Sequence, residues 1–260
     1  MKIFKCFSYY ELIIELAKKE IRDKIHGSTL GVVWLVFIPF VQMAIYIVFF
    51  TYVLELKVNT KGPGDYGLYI LAGIIPWLSF LEVLNKSTSI IKSNSSLVKQ
   101  IIFPVEVLPL KGALSSLITQ GIFHSILAAY LIYRGLFFNI YFLIIPLAFL
   151  QMLFFSGVSF FISAISVFFK DFKEIVNIFS MIGIYFLPII FTVEMIPEFF
   201  VNILYFNPLS HMIFVYQDVC YFGFIAHYSS WIIWTIFSLF TFITGNIFFN
   251  YMKRNFGDFV

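Results

Sequence analysis

Few side chains in this sequence are equipped for chemistry. Glu82 and Lys86 stand four residues apart, the order in which a carboxylate and an ammonium pair along one helix face. Gln120 and His124 share that spacing, so His124 is either a proton carrier or a packed, hydrogen-bonded core residue. Ser156-Gly157 has no neighbouring His or Asp to make its hydroxyl a nucleophile. Glu55, Asp65, Glu194, Glu198 and Asp218 are scattered, whereas an enzyme acting on lipid or glycan needs such groups clustered. No GxxxxGK[ST] sequence occurs, so the chain cannot cradle ATP phosphates itself and energy must arrive from another polypeptide. CxxC spacing is absent, and Cys6 and Cys220 are expected on opposite sides of a membrane, unpaired. No metal, cofactor or catalytic set emerges.

The elements that hold these residues follow from composition. Of 260 residues, 61% are hydrophobic and 12% charged, with mean hydropathy +0.94. A soluble domain carries about a quarter charged residues. A soluble enzyme, a disordered chain and a secreted disulfide scaffold are excluded. A net charge of +3 without a basic stripe argues against nucleic-acid binding. Met1–Lys24 lacks the clean apolar core of a cleaved signal, so the first apolar run is a retained span.

Crossing the hydrocarbon layer takes about 20 mostly apolar residues. The expected spans are 30–54, 68–91, 109–133, 141–168, 174–194 and 227–251, in a single domain. Residues 196–224 resist this treatment: Pro197, Asn202, Asn207, Pro208, His211, Gln217 and Asp218 interrupt them. The apolar pieces Phe199–Phe206 and Leu209–Tyr216 are too short to cross and read as two half-helices that dip into one leaflet. Asn207-Pro208 supplies their turn, and His211, Gln217 and Asp218 are expected near the outer surface. Six spans with both ends inside place Lys2, Lys5, Lys18, Lys19, Arg22, Lys24, Lys86, Lys92, Lys99, Lys111, Lys170, Lys173, Lys253 and Arg254 on the inner side. Only Lys57, Lys61 and Arg134 fall outside, a strong positive-inside bias. A seventh span would export Lys253 and Arg254.

Phe7, Tyr10, Ile14, Ala17, Ile21 and Ile25 recur every three or four residues, opposite Glu11, Glu15, Lys18 and Arg22. That pattern predicts an amphipathic helix on the membrane surface, either a plain anchor or a platform for a cytoplasmic partner. Between spans two and three, Asn94 or Ser95 is placed to cap a short helix reaching about Ile102, before Phe103-Pro104. It is either a rigid contact element or an ordinary loop. Ser156, Ser159, Ser163 and Ser166, with Gly157, form a small-residue face for close helix packing. Ser79, Glu82, Lys86, Ser89 and Ser93 form a face that meets water or protein rather than lipid. Trp77, after Pro76, and Tyr46 either line a path for sugar rings or pack against helices.

The motif order resembles that of the membrane subunits of type-2 ABC exporters, above all those of O-antigen, capsule and teichoic acid polymers. The residues that carry the resemblance are Gly27-Ser28-Thr29-Leu30-Gly31-Val32-Val33-Trp34 with Pro39, and Tyr69 to Trp77. They continue through Asn94 to Lys99, Phe103 to Pro109, Phe169-Lys170-Asp171, Leu187 to Phe191, Ile196-Pro197, Asn207-Pro208-Leu209 and the tail Phe256 to Val260. Lys24-Ile25 stands where the family commonly has Arg-Tyr, and Lys170 where it has Arg, keeping charge without the planar guanidinium fork.

The resemblance implies an all-α permease of the bacterial cytoplasmic membrane: six spans, an N-terminal interface helix and two re-entrant half-helices before the last span. It implies a homodimer enclosing a channel for lipid-linked polysaccharide, O-antigen first among the candidates, on two cytoplasmic ATP-binding subunits. A small lipid or drug exporter of the same architecture is the alternative. Contact with the ATPases would fall to Glu11, Glu15, Lys18 and Arg22, to Ser95, Leu97, Lys99, Phe103, Pro104 and Glu106, and to Lys170 and Asp171. Tyr46, Trp77, Glu82 and Lys86 would line the channel. Pro197, Asn207, Pro208, His211, Gln217 and Asp218 would form an outer gate.

Overall fold

The computed structural model describes residues 9–25, 31–53, 65–99 and 103–258. Cys6, Glu55, Lys57, Lys61, the Gly27–Leu30 part of the first motif and the expected helix end near Ile102 lie outside them. The elements are all helical: α1 (Tyr10–Ile25), α2 (Val32–Ile47, continued by a π turn Val48–Val53), α3 (Tyr66–Ser87), α4 (Ser95–Val98), α5 (Val107–Tyr133), α6 (Ile144–Phe168), α7 (Phe172–Ile182), α8 (Glu198–Phe206), α9 (Pro208–Gln217, continued by a π turn Asp218–Phe222) and α10 (Tyr228–Met252). Five of these helical stretches are long and apolar enough to cross a membrane: α2, α3, α5, α6 and α10, each with its flanking turns.

α3 is the axis of the bundle, buried along most of its length and touching α2, α5, α6, α7 and α9. Asp65 starts it by accepting the Leu68 amide (3.3 Å), and it runs unbroken through Pro76 to Ser87. It stops four residues short of the expected Ile91, so Ser89 and Ser93 leave its polar face. One apolar core surrounds α3 and α9. A second, at the end of the bundle that carries α1, gathers Ile13, Ile90, Ile91, Val107, Leu108, Phe160, Phe249 and Phe256.

The most extensive helix pair is α6 on α10. A Cβ built on Gly157 would sit 2.5 Å from the Thr241 carbonyl carbon and 2.7 Å from the Phe242 amide nitrogen. Only hydrogen at that position lets the two backbones touch. Ser156, Ser159, Ser163 and Ser166 are buried, as the small-residue face predicts; Ser159 meets the Ser87 hydroxyl at 2.8 Å.

The expected fifth span, Glu174–Glu194, is not one helix. α7 covers 11 residues, and a 3₁₀ turn adds Gly183–Phe186 before the backbone turns extended at Leu187, ahead of Pro188. At about 1.5 Å per residue α7 spans roughly 16 Å, and the tighter turn adds about 8 Å. Together they fall short of a hydrocarbon layer of about 30 Å. Pro188 marks the break: the residue before a proline is disfavoured in the helical region, and Leu187 is extended. Freed carbonyls in this break are taken up inside the protein. Gln217 Nε2 donates to Pro188 O (2.7 Å), Tyr69 OH to Pro188 O and Phe191 O (3.2 and 3.3 Å), and Tyr66 OH to Ile190 O. Irregular backbone at membrane depth survives only with such partners.

α8 and α9 are the two short helices expected from the sequence, and they meet at 94° across Asn207. The corner is chemically specified. Asn207 Oδ1 accepts the Leu209 amide (3.0 Å), Asn207 Nδ2 donates to Phe186 O (3.3 Å), and Pro208 occupies the first turn of α9, where no amide is required.

Candidate functional site

Three polar assemblies stand out in a largely apolar bundle: one beneath α1, one behind the α8–α9 corner and one joining α5, α6 and α9. α1 buries only part of the stripe its periodicity suggests. Tyr10 and Ile14 are exposed, at 58% and 39%, whereas Ile13 and Ala17 are buried and Glu20 and Ile21 half-buried. The buried stripe is thus Ile13–Ala17–Glu20, because α1 docks on α5 and the second apolar core rather than on lipid alone. Glu11, Glu15, Lys18 and Arg22 point outward as expected, with Glu15 and Lys18 paired at 2.9 Å.

Glu20 reaches between α3 and α5. Its Oε1 lies 2.7 Å from Lys86 Nζ and accepts Ser115 Oγ–H at 2.7 Å; its Oε2 lies 3.8 Å from Lys111 Nζ. Lys86 also contacts Glu82 (2.9 Å) and donates to Ser115 Oγ (2.6 Å). Burial would raise the Glu20 carboxyl, but the Lys86 charge and the hydrogen bonds from Lys86 and Ser115 outweigh it and hold it below the ordinary carboxylate value. Glu82 and Lys86 therefore do pair, as their spacing predicts. What the spacing could not reveal is the third member: Glu20 reads as one more charge on a charged helix.

Glu82 also lines a recess of about 290 Å³ between α2, α3 and α5, with Trp34, Gln42, Thr119 and Phe123. The other candidates for a path fare differently. Trp77 is 1% exposed, packed against Phe80, Phe179 and Gly183, so in this chain it is a core residue and not a lining one. Tyr46 is half-buried and stacked on Phe50.

The segment between α3 and α5 is short: a 3₁₀ turn Lys92–Asn94, then α4 of four residues. The expected cap is not made. Asn94 instead donates to Ile90 O (2.7 Å) and accepts from Lys111 (3.4 Å), tying the turn to the helices on either side. Leu97 and Phe103 pack against the second apolar core. Ser95 and Pro104 are half-buried, and Lys99 is exposed. Glu106 pairs with Lys253 at 3.1 Å, linking the start of α5 to the end of α10. Lys170 and Asp171 are exposed on the turn before α7. At this end, then, the structure brings α1, α4, the Phe103–Glu106 turn and the chain's last turn onto one apolar cluster.

Behind the α8–α9 corner the expectation of surface exposure is overturned. His211, Gln217 and Asp218 are 2%, 1% and 0% exposed. Each has an internal role: His211 Nδ1 meets Ser230 Oγ (2.9 Å) and its Nε2 the Tyr205 carbonyl (3.0 Å), while Gln217 holds Pro188. Asp218 accepts three donors: the His227 amide (3.1 Å), His227 Nδ1 (2.7 Å) and Trp231 Nε1 (2.9 Å). A carboxylate this deep is tolerated only when so saturated. His211 and Asp218 brace α9 against α10, and Gln217 ties it to the break at Pro188. Pro197 is exposed and, with Phe200, lines an apolar pocket of about 280 Å³. Ser230 is fully buried and its His partner is not the one joined to Asp218, so no accessible nucleophile is assembled here.

Sequence reasoning missed a further buried group. Gln120 Nε2 lies 2.9 Å from Gln151 Oε1, 3.2 Å from Tyr216 OH and 3.3 Å from His124 Nε2, and Tyr216 OH bonds Gln151. His124 is thus a packed member of a network joining α5, α6 and α9. Only the Gln120–His124 spacing hinted at it.

A family model described as "ABC-2 type transporter" matches residues 11–221. The O-antigen export system permease protein RfbA of Klebsiella pneumoniae is 26% identical over 255 residues, covering 96% of this chain and 95% of its own. RfbA of Myxococcus xanthus is 22% identical across 83% and 82% of the two chains. The polysialic acid transport protein KpsM of Escherichia coli is 24% identical across 92% and 93%.

Proposed function

The chain belongs to the ABC-2 type transporter family, and from that premise we propose that it is the channel-forming permease of an ATP-driven exporter of lipid-linked polysaccharide. The observation that carries the reading is similarity to O-antigen export permeases along nearly the whole of both chains. In this reading two copies enclose the path, two cytoplasmic ATPase subunits drive them, and both termini lie inside, with α7 and the irregular run 187–191 after it carrying the chain back across between the end of α6 and the start of α10. Glu11, Glu15, Lys18 and Arg22 on α1, with Lys99 and the exposed Lys170-Asp171 turn, meet the ATPases. Ser95, Leu97, Phe103, Pro104 and Glu106 form the packed base of that surface. Gathering of α1, α4 and the last turn onto one apolar cluster supports it, since a push at one element is felt by the others.

The α8–α9 corner is the gate at the outer end, with Pro197, Asn207 and Pro208 on its rim and His211, Gln217 and Asp218 as its internal braces. Glu82 and Lys86 sit beside the path; Tyr46 borders it and Trp77 stiffens its wall. Similarity to KpsM keeps capsular polysaccharide as the second candidate cargo. The test is reconstitution with its cognate ATPase. The purified chain alone should hydrolyse no ATP, the complex should, and deletion of the gene should strip polysaccharide from the cell surface. Hydrolysis by the chain alone, or an unchanged surface in the deletion strain, overturns the reading.

A further inference from the structure

Glu20 is the one half-buried carboxylate on α1, and its ion-pair and hydrogen-bond partners among the described residues, Lys86, Ser115 and Lys111, all belong to other helices. Lys86 Nζ has three protons and meets three acceptors within 2.9 Å: Glu20 on α1, Glu82 on its own helix α3, and Ser115 Oγ on α5. Lys111 on α5 lies 3.8 Å from the other carboxylate oxygen of Glu20. Two carboxylates and two ammoniums therefore meet in a site where each side chain is under a quarter exposed. Among the described residues α1 also packs through Leu12, Ile13, Leu16 and Ala17, apolar contacts that tolerate sliding; the ion cluster is directional and does not. Its far end, Glu82, faces the recess between α2, α3 and α5.

We propose that Glu20 is a positioning residue for energy coupling: through Lys86 it ties the helix that meets the ATPase to α3 and α5, so that displacement of α1 is delivered to the recess beside Glu82. This rests on the exporter reading above. Apolar docking holds α1 in place, and the Glu20–Lys86–Glu82 bridge sets its register on the bundle.

Coupling energies between linked sites run at about 1–3 kcal/mol, or roughly 5- to 150-fold. Glu20→Gln keeps the shape and one hydrogen-bond acceptor but removes the charge. In the complete permease–ATPase complex it should assemble normally and release phosphate at the wild-type basal rate, while surface polysaccharide per assembled complex falls about tenfold. Wild-type export per ATP in Glu20→Gln refutes the proposal. So does a proportional loss of assembly, hydrolysis and export, which is the signature of a structural clip. If Glu20→Gln does not accumulate in the membrane, Glu20→Asp is read instead. It retains the charge on a stem one methylene shorter and should lower export per ATP severalfold; an unchanged ratio overturns the proposal. A wild-type complex that neither hydrolyses ATP nor exports would condemn the functional reading itself, not the bridge.

Discussion

Substituting Gly157 isolates the packing that holds the two helices α6 and α10 together. An alanine Cβ there would lie 2.5 Å from the Thr241 carbonyl carbon and 2.7 Å from the Phe242 nitrogen, with the Thr241 oxygen closer still. All three are backbone atoms, so no rotamer change relieves the contact. Carbon contacts are comfortable near about 3.5–4.0 Å, so the helices must separate by about 1 Å along their most extensive interface. Overpacking of this kind costs about 1–3 kcal/mol. Against it stands the better helix propensity of Ala, worth about 1 kcal/mol over Gly. The net for Gly157→Ala should be a loss of up to about 2 kcal/mol. Gly121 on α5 is the internal control, since a Cβ there meets nothing within 4 Å. Gly121→Ala should be neutral or gain up to about 1 kcal/mol.

Gly245 adds a sharper test. Its Cβ would lie 2.9 Å from the Gly157 carbonyl carbon and 3.0 Å from the Gly157 Cα. One separation of the helices relieves both clashes. The double Ala variant should therefore cost less than the sum of the single ones, by about 0.5 kcal/mol or more. The assay is thermal unfolding of the purified chain in one detergent, followed by loss of the monodisperse size-exclusion peak. A Gly157→Ala midpoint equal to or above that of Gly121→Ala would refute the close-contact argument.

Two further outcomes follow from the polar sites. The Glu20 carboxyl is held below the ordinary value, so its hold on the register of α1 is complete above that value, about 4.3, and is lost as pH falls through the lower folded one. The anisotropy of a fluorophore on a Cys at the exposed position Lys18 should drop across that acid range in wild type and stay flat in Glu20→Gln; parallel curves would refute the assignment. Asp218→Asn turns an acceptor of three donors into a group that opposes at least one of them. Unfolding in detergent should then be easier by about 1–3 kcal/mol, and an unchanged midpoint would mean that Asp218 is not a brace.

Hydropathy and helix-breaking residues act locally, and what they govern was legible from the residue string: the membrane class, the five long helices and the two short helices meeting at Asn207-Pro208. The small-residue face of α6 was legible for the same reason. Resemblance of the collinear motifs pointed to the family. Pro188 was visible too, yet reading Glu174–Glu194 as apolar and long enough overlooked that a proline at that depth ends a helix unless something holds its neighbours. Which way each polar side chain turns was decided by partners far away in the chain. Periodicity gave α1 an apolar stripe one residue off, because neighbouring stripes on a helix differ by less than the width of the face that packs. Docking on α5 selected Ile13–Ala17–Glu20. Nothing near Glu20 in the sequence distinguishes it from Glu15, but only Glu20 meets Lys86. His211, Gln217 and Asp218 read as surface groups because polarity predicts exposure. The structure buries them because Ser230, Pro188, His227 and Trp231 supply the bonds that water would otherwise make. Burial of a polar group is a property of its partners, and partners are set by the fold.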